Sequence, residues 1–174
     1  MNYFELFEMK PSFFVDEKAL RNKFIANSRK YHPDYFNNEA STVQEENIDL
    51  STLNNIAYKT LSDFDKRMEY ILEQNEISIN SDEQLSNDFL MEMMDINEAI
   101  MELEFDFDQD KFNEIQNNVE IIEKNNFDKI QPLLLSFENQ PFEKNDFVEV
   151  KKYFLKKKYL LRIRNQFSKF ASHS

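Results

Sequence analysis

The chain of 174 residues contains no glycine, no cysteine and no tryptophan, and it has only four prolines and two histidines. The absence of glycine argues against tight β-hairpin turns, glycine-rich phosphate loops and sheet bulges, because all of these depend on positive φ angles. The absence of cysteine excludes disulfide bonds, thiolate catalysis and cysteine-ligated zinc or iron–sulfur sites. No stretch alternates strictly between apolar and polar residues. The composition therefore predicts an all-α fold.

Long apolar runs are also missing. No uninterrupted run approaches the length of a membrane-spanning helix, and the N-terminus shows no basic segment followed by an apolar one. We therefore expect a cytoplasmic protein that does not bind a membrane, with an organelle as the alternative if a transit peptide is removed. The chain contains 18 phenylalanines and seven tyrosines, which supply bulky side chains for a core. Its length suits one domain of ordinary size or two small ones.

Charge is distributed unevenly along the chain, whose formal net charge is −12. Residues 1–75 contain nine Lys/Arg and 13 Asp/Glu, residues 76–143 contain three and 18, and residues 144–174 contain nine and two. Because affinity for nucleic acid comes mainly from neutralising phosphates, we do not expect so acidic a chain to bind it. Two interpretations of the basic C-terminal segment are open. It is a nucleic-acid footprint or, as we favour, it lies against the acidic middle of the same chain.

The N-terminal part shows the pattern of a helical hairpin. Apolar residues recur at helical spacing both before and after a predicted turn. Asp16 is a candidate N-cap for the first of the two helices. Pro33 is expected to end that helix near Tyr31, because proline lacks a backbone donor and biases the preceding residue away from helical dihedrals. His32 and Asp34 are then carried on an exposed turn.

The helix before this turn has a basic face. Between residues 18 and 31 it contains five basic residues and no acidic one, namely Lys18, Arg21, Lys23, Arg29 and Lys30. Two interpretations are open for this face. It is a docking surface for an acidic partner, which long-range attraction would steer, or it is a solvated helix face. Beside an exposed turn we favour docking.

A second surface is predicted on the helix that a capping box at Ser81-Asp82-Glu83-Gln84 would open. Its core stripe advances by three or four residues through Leu85, Phe89, Met93, Ile96, Ile100 and Leu103. Three apolar residues lie off this stripe and share a face with three acidic ones: Leu90, Met91 and Met94 with Asp95, Glu98 and Glu102. Such a face suits a partner that buries aliphatic contacts and pairs basic residues at the edge. Alternatively, the three apolar residues widen the buried face of a helix packed on two neighbours.

Taken together, these motifs resemble a J domain. The resemblance runs from Tyr3-Phe4-Glu5-Leu6-Phe7 through Lys30-Tyr31-His32-Pro33-Asp34 to Ile56-Ala57-Tyr58, Leu61-Ser62-Asp63, Arg67 and Tyr70. It continues into Phe89-Leu90-Met91-Glu92 and so covers most of the chain. More closely, the chain is similar to the HscB family, the J-domain co-chaperones of iron–sulfur cluster biogenesis. The resemblance implies a J domain over residues 1–76, with short helices flanking the hairpin, and a C-terminal three-helix bundle over residues 77–174 that binds the client.

The resemblance also implies how each surface acts. The J domain would stimulate the ATPase of an HscA/DnaK-type chaperone, with Asp34 meeting an arginine of the ATPase domain. His32 would order the loop and donate a hydrogen bond, Pro33 would set its shape, and the five basic residues would steer association. The bundle would deliver the iron–sulfur scaffold protein, held by the mixed apolar and acidic face and completed by Phe154. The resemblance implies no cofactor.

One position departs from the family pattern. Asn27 occupies a place where J domains usually carry an inward-facing leucine. Either its amide finds a hydrogen-bond partner at the helix interface, or the helix is rotated slightly.

We predict that the chain is not an enzyme and holds no metal. His173 lies near the C-terminus, whereas His32 and Asp34 lie on a turn with nothing to exclude water. Phosphate loops, two-histidine helix motifs and nucleophile elbows are missing from the sequence. We interpret the many carboxylates of residues 82–110 as a solvated face instead of a metal cluster. The alternatives to an iron–sulfur co-chaperone are a J-domain co-chaperone for an unrelated client and a non-catalytic helical scaffold protein.

Overall fold

The computed structural model describes residues 2–32, 34, 41–79 and 85–170. In chain order the helices are α1 (Tyr3–Leu6), α2 (Glu17–Lys30), α3 (Ser41–Ser62), α4 (Phe64–Gln74), α5 (Asn87–Phe105), α6 (Gln109–Ser136) and α7 (Lys144–Gln166), followed by a 3₁₀ helix, Phe167–Phe170. The described ranges contain no strand, and the prediction of an all-α fold is confirmed. Among the described helices, none combines the length and the apolar composition that crossing a bilayer requires.

The chain divides into two compact units. The first unit comprises Met1–Asn75 and Leu134–Pro141, and the second comprises Glu76–Leu133 and Phe142–Ser174. The sequence led us to expect one boundary at residue 76. The segment Leu134–Pro141, which lies beyond that boundary, belongs to the first unit. The first unit is therefore discontinuous in the sequence.

Aromatic and polar contacts hold the segment Leu134–Pro141 within the first unit. The rings of Phe13 and Phe137 lie with their centroids 4.9 Å apart, and Phe13 is fully buried. The hydroxyl of Ser12, also buried, hydrogen-bonds the carboxylate of Glu138. Ser12 and Glu138 are 126 positions apart in the sequence, so a local sequence pattern could not predict their contact.

Helices α2 and α3 form an antiparallel hairpin in the first unit. The ring of Phe24 stacks on that of Tyr58 with 4.2 Å between centroids. The amide Nδ2 of Asn54 donates to the carbonyl oxygen of Phe24 (3.2 Å) and to Oγ of Ser28 (3.0 Å). Ser28, the later residue of α2, thus lies against Asn54, the earlier residue of α3, and Phe24 lies against Tyr58. This is the order that antiparallel helices produce. Because Asn54 is only 1% exposed, leaving its donor unpaired would cost about 1–3 kcal/mol.

Asn27 finds a partner at the helix interface. Its amide Nδ2 donates to the carbonyl oxygen of Leu6, 3.2 Å away. Leu6 is the last residue of α1, where carbonyl groups lack partners within the helix. The first of the two outcomes considered for this position is therefore the observed one, and the hydrogen bond ties α1 to α2.

Two motif residues of α4 are structural. Arg67 is buried, and its guanidinium donates to the carbonyl oxygens of Phe13 (3.0 Å) and Leu61. Burial lowers the pKa of Arg67 below its usual value. Tyr70 accepts a hydrogen bond from the backbone N–H of Tyr3 (2.8 Å), and the two rings stack with centroids 4.3 Å apart. Arg67 thus pairs buried carbonyl groups, and Tyr70 fixes the start of α1.

Helices α5, α6 and α7 build the core of the second unit. All the predicted α5 core residues except Leu85 belong to this core, and Leu85 is partly buried against it. The buried members are Phe89, Met93, Ile96, Ile100 and Leu103 of α5, Phe112, Val119 and Ile122 of α6, and Leu160, Ile163 and Phe170 at the C-terminal end. The three-helix bundle predicted for this part of the chain is the observed architecture.

Helix α5 begins later than the sequence predicted. Its first residue is Asn87, and Oγ of Ser86 caps it by accepting a hydrogen bond from the backbone N–H of Phe89 (3.4 Å). The expected capping box at residues 81–84 lies outside the described residues. Leu85 and Ser86 are not helical, so that box does not open the helix. A single serine side chain provides the cap instead.

Basic residues at the C-terminal end pair with carboxylates of the acidic middle segment. Arg164 lies 3.4 Å from Glu120 and 3.2 Å from Glu123, and Lys169 lies 2.6 Å from Glu104. Burial raises the pKa of Glu123, an effect that Arg164 opposes. For these two cations, the intramolecular interpretation of the basic segment is the one observed.

Candidate functional site

The first candidate surface is the turn that follows α2. The helix ends at Lys30 with Tyr31 as its C-cap, and the side chains of His32 and Asp34 are 53% and 79% exposed. Pro33 lies outside the described residues. The backbone N–H of Asp34 donates to Nδ1 of His32 (3.3 Å), and the Asp34 carboxylate lies 3.6 Å from the same nitrogen.

The exposed face of α2 carries three of the predicted basic residues at helical spacing. Lys18, Arg21 and Arg29 are all exposed, and positions separated by three, seven or eleven residues lie on the same side of a helix. Ile25 lies on this side as well and is 38% exposed. The face is therefore cationic with one aliphatic side chain at its centre.

The other two predicted basic residues have contacts within the chain. Lys23 forms an ion pair with Glu8, and the hydrogen bond between them lowers the pKa of the Glu8 carboxyl group. The Nζ atom of Lys30 lies 5.2 Å from the centroid of the Tyr31 ring, within the range of a cation–π contact. The charge of Lys23 is therefore already paired with a carboxylate of this chain. Lys30 is exposed.

The second candidate surface is the outer face of α5, in the second unit. Met91 and Met94 are 65% and 67% exposed, whereas Leu90 is half-buried. The acidic residues predicted to share this face, Asp95, Glu98 and Glu102, are all exposed. The two methionines thus do not widen the buried stripe of α5, and their side chains are accessible in the part of the chain that the structure describes.

Phe154 requires a correction. The family resemblance implied that it completes the client-binding patch, but it is 1% exposed, and Nζ of Lys158 lies 4.6 Å from the centroid of its ring. A side chain so completely buried presents no area to a partner. We therefore leave Phe154 out of the proposed surface.

Sequence reasoning missed two exposed residues of the same helix. Met101 is 59% exposed and Phe105 is 90% exposed. Met91, Met94, Glu98, Met101 and Phe105 follow one another at intervals of three or four residues, so they share one side of α5. The spacing of three and four residues in the sequence is the signal that indicates this shared side.

An acidic groove of about 400 Å³ lies between α5 and α6. Its lining includes four carboxylates and one ammonium group, from Glu92, Asp95, Glu102, Glu114 and Lys111. Within the described ranges, no group of three or more histidine, aspartate or glutamate side chains is placed to hold a metal ion. His173 lies outside those ranges. The groove therefore offers negative charge along one flank of the outer face of α5.

Comparison with known proteins shows a consistent similarity. Residues 85–168 match a family model described as the HSCB C-terminal oligomerisation domain. The co-chaperone protein HscB of Buchnera aphidicola is 31% identical over 175 residues, which cover 94% of this chain and 98% of the relative. The human iron–sulfur cluster co-chaperone protein HscB is 32% identical over 164 residues, or 93% of this chain, which spans 65% of the human protein's length.

Solved structures agree with this similarity. The crystal structure of human co-chaperone protein HscB superposes with a TM-score of 0.74 at 30% identity, covering 97% of this chain and 81% of the human one. Chaperone HscB from Vibrio cholerae superposes with a TM-score of 0.72 and covers 99% of both chains. At 22% identity, the similarity to the Vibrio cholerae structure supports the fold alone. The chain belongs to the HscB family of co-chaperones.

Proposed function

We propose that this chain stimulates the ATPase of an HscA/DnaK-type chaperone through the turn after α2, and presents an iron–sulfur scaffold protein to that chaperone on the outer face of α5. The human relative is named an iron–sulfur cluster co-chaperone, and this similarity supports the class of client. The J-domain motifs of the sequence support the class of chaperone. On this proposal the protein performs no chemistry itself.

The observation that carries the proposal is the exposed carboxylate of Asp34 at the end of a cationic helix face. A carboxylate that is 79% exposed has area available for a guanidinium group of a partner, and such charge-assisted hydrogen bonds are stronger than neutral ones. The cations of α2 would be attracted to an acidic partner surface and so orient the turn. Stimulation then requires that the chaperone's hydrolytic state binds this turn better than its resting state does.

Two partner surfaces on one chain would make the second binding event intramolecular. A chaperone bound at the turn and a scaffold bound at α5 are held at an effective concentration set by the chain that carries both. This gives a physical reason for joining a J domain to a client-binding bundle. It also predicts that client and co-chaperone act together on the chaperone.

The proposal is tested by steady-state ATP hydrolysis with the cognate chaperone. We expect this protein and the scaffold protein together to stimulate hydrolysis by more than the sum of their separate effects. If this protein does not stimulate hydrolysis, the result would favour the alternative that this chain is itself a non-catalytic helical scaffold protein. Stimulation that the iron–sulfur scaffold protein does not change would favour an unrelated client.

Charge reversal on α2 is expected to slow association with the chaperone. The double change Arg21→Glu/Arg29→Glu replaces attraction by repulsion, and we expect the association rate constant to fall roughly tenfold or more at low ionic strength. Because exposed charges are screened by salt, the defect should shrink as the salt concentration rises. Stopped-flow fluorescence of the two purified proteins measures both effects.

The matched control for this prediction is Lys59→Glu/Lys66→Glu. Both lysines are exposed in the first unit but lie on α3 and α4, and the net charge changes by the same amount. Equal slowing by both double variants would show that the cationic face of α2 has no special part in docking.

A further inference from the structure

The outer face of α5 continues beyond the residues that sequence reasoning assigned to the client. Met91 and Met94 occupy its first half, and Met101 and Phe105 occupy its second half with 59% and 90% exposure. From Met91 to Phe105 the stripe extends about 21 Å along the helix axis at 1.5 Å per residue. Single exposed apolar residues are ordinary on protein surfaces, but four on one side of one helix indicate an interaction site.

Carboxylates accompany this stripe along its length. Glu98 lies within it, and Asp95 and Glu102 lie on one flank, where they also line the acidic groove between α5 and α6. Apolar anchors edged by carboxylates fit a segment with aliphatic residues along its axis and lysine or arginine at its edges. A helix laid along a helix is one common way to bury such a stripe.

We propose that the scaffold client occupies the whole outer face of α5, with Met101 and Phe105 anchoring a basic-edged segment of the client. This inference rests on the proposed function and extends its client site by two residues that the family resemblance did not supply. Phe105 is expected to be the strongest anchor in the second half, because aromatic residues bury large area with little loss of conformational entropy.

A second copy of this chain is the competing occupant, because the matched family model is described as an oligomerisation domain. A two-fold interface places the same patch of both copies face to face. Here that would bring Asp95, Glu98 and Glu102 of one copy close to the same carboxylates of the other. Such juxtaposition of like charges is unfavourable, so charge complementarity favours the basic-edged client.

The test is a calorimetric titration of the purified scaffold protein into the full chain carrying Met101→Ala/Phe105→Ala. We expect the dissociation constant to rise about tenfold or more, the effect of truncating a binding hot spot. Alanine favours helix, so α5 should keep its circular dichroism signal. Without the scaffold protein, stimulation of the chaperone ATPase should match that of the unchanged chain.

Two comparison variants make each outcome decisive. Ile121→Ala/Leu161→Ala removes apolar residues that are 48% and 50% exposed on α6 and α7, and it should leave the affinity unchanged. If Leu90→Ala/Met94→Ala weakens binding while Met101→Ala/Phe105→Ala does not, the client uses only the first half of the face, and the inference fails while the proposed function stands. If neither variant weakens binding, client binding on α5 is wrong altogether. If Met101→Ala/Phe105→Ala changes the sedimentation behaviour of the protein alone but not client affinity, the occupant is a second copy.

Discussion

Asp34→Asn is expected to remove most of the stimulation of the chaperone ATPase while leaving the protein folded. The substitution keeps the size of the side chain but replaces a charged acceptor by an amide, so a guanidinium partner loses its charge-assisted contact. Losing such a bond costs about 1.5–3 kcal/mol, which corresponds to roughly a tenfold to hundredfold loss of coupling. Steady-state hydrolysis at increasing co-chaperone concentrations measures the loss.

The structure indicates that Asp34→Asn changes the charge of this side chain without disturbing the fold. Asparagine retains the backbone N–H of residue 34 that donates to Nδ1 of His32, and the substitution alters only the exposed contact of 3.6 Å between the carboxylate and that nitrogen. The side chain is 79% exposed, so no buried contact is disturbed. Asp110→Asn, which removes one exposed charge from α6, is the matched control and should stimulate normally. Full stimulation by Asp34→Asn would refute the J-domain mechanism.

Leu90→Ala/Met94→Ala is expected to weaken binding of the iron–sulfur scaffold protein by about tenfold to a hundredfold. Both substitutions remove aliphatic area from the first half of the outer face of α5, and alanine keeps the helix. Titration calorimetry with the isolated scaffold protein measures the change. Hydrolysis by the chaperone in the absence of the client should be stimulated as before, because the turn after α2 is unaltered.

The two positions differ in burial, which calls for a separate control on folding. Met94 is 67% exposed, whereas Leu90 is half-buried, so truncation of Leu90 removes some packing as well. Met94→Ala alone should weaken scaffold binding without lowering the midpoint of thermal unfolding. If Met94→Ala and the double variant both bind the scaffold protein with unchanged affinity, the client does not occupy this face.

Local patterns predicted much of this fold because their causes are local. Asp16, the candidate N-cap, does cap α2 by accepting a hydrogen bond from the backbone N–H of Ala19 (2.9 Å). The buried stripe of α5 followed from its spacing of three and four residues. Capping and helical periodicity involve residues within one or two turns, so a single sequence contains the information.

What the sequence could not predict depends on contacts between distant residues. Phe154 was expected at the client-binding patch from the family resemblance, but its burial is set by tertiary packing, which periodicity within α7 does not determine. The pairing of Lys23 with Glu8 brings together residues 15 positions apart across a loop. The partner of Asn27 was left open for the same reason. Site residues were thus identified by type, and their accessibility had to come from the structure.

The contacts of Phe137 and Glu138 with the first unit have a consequence for biosynthesis. Ribosomes release the N-terminal part of a protein first, and domains generally fold in that order. Here the nascent first unit lacks its last packing segment until residue 141 has left the exit tunnel, after most of the second unit has been translated. Completion of the first unit therefore waits for translation of most of the second unit, so a product terminated before residue 134 would lack part of the packing of the first unit.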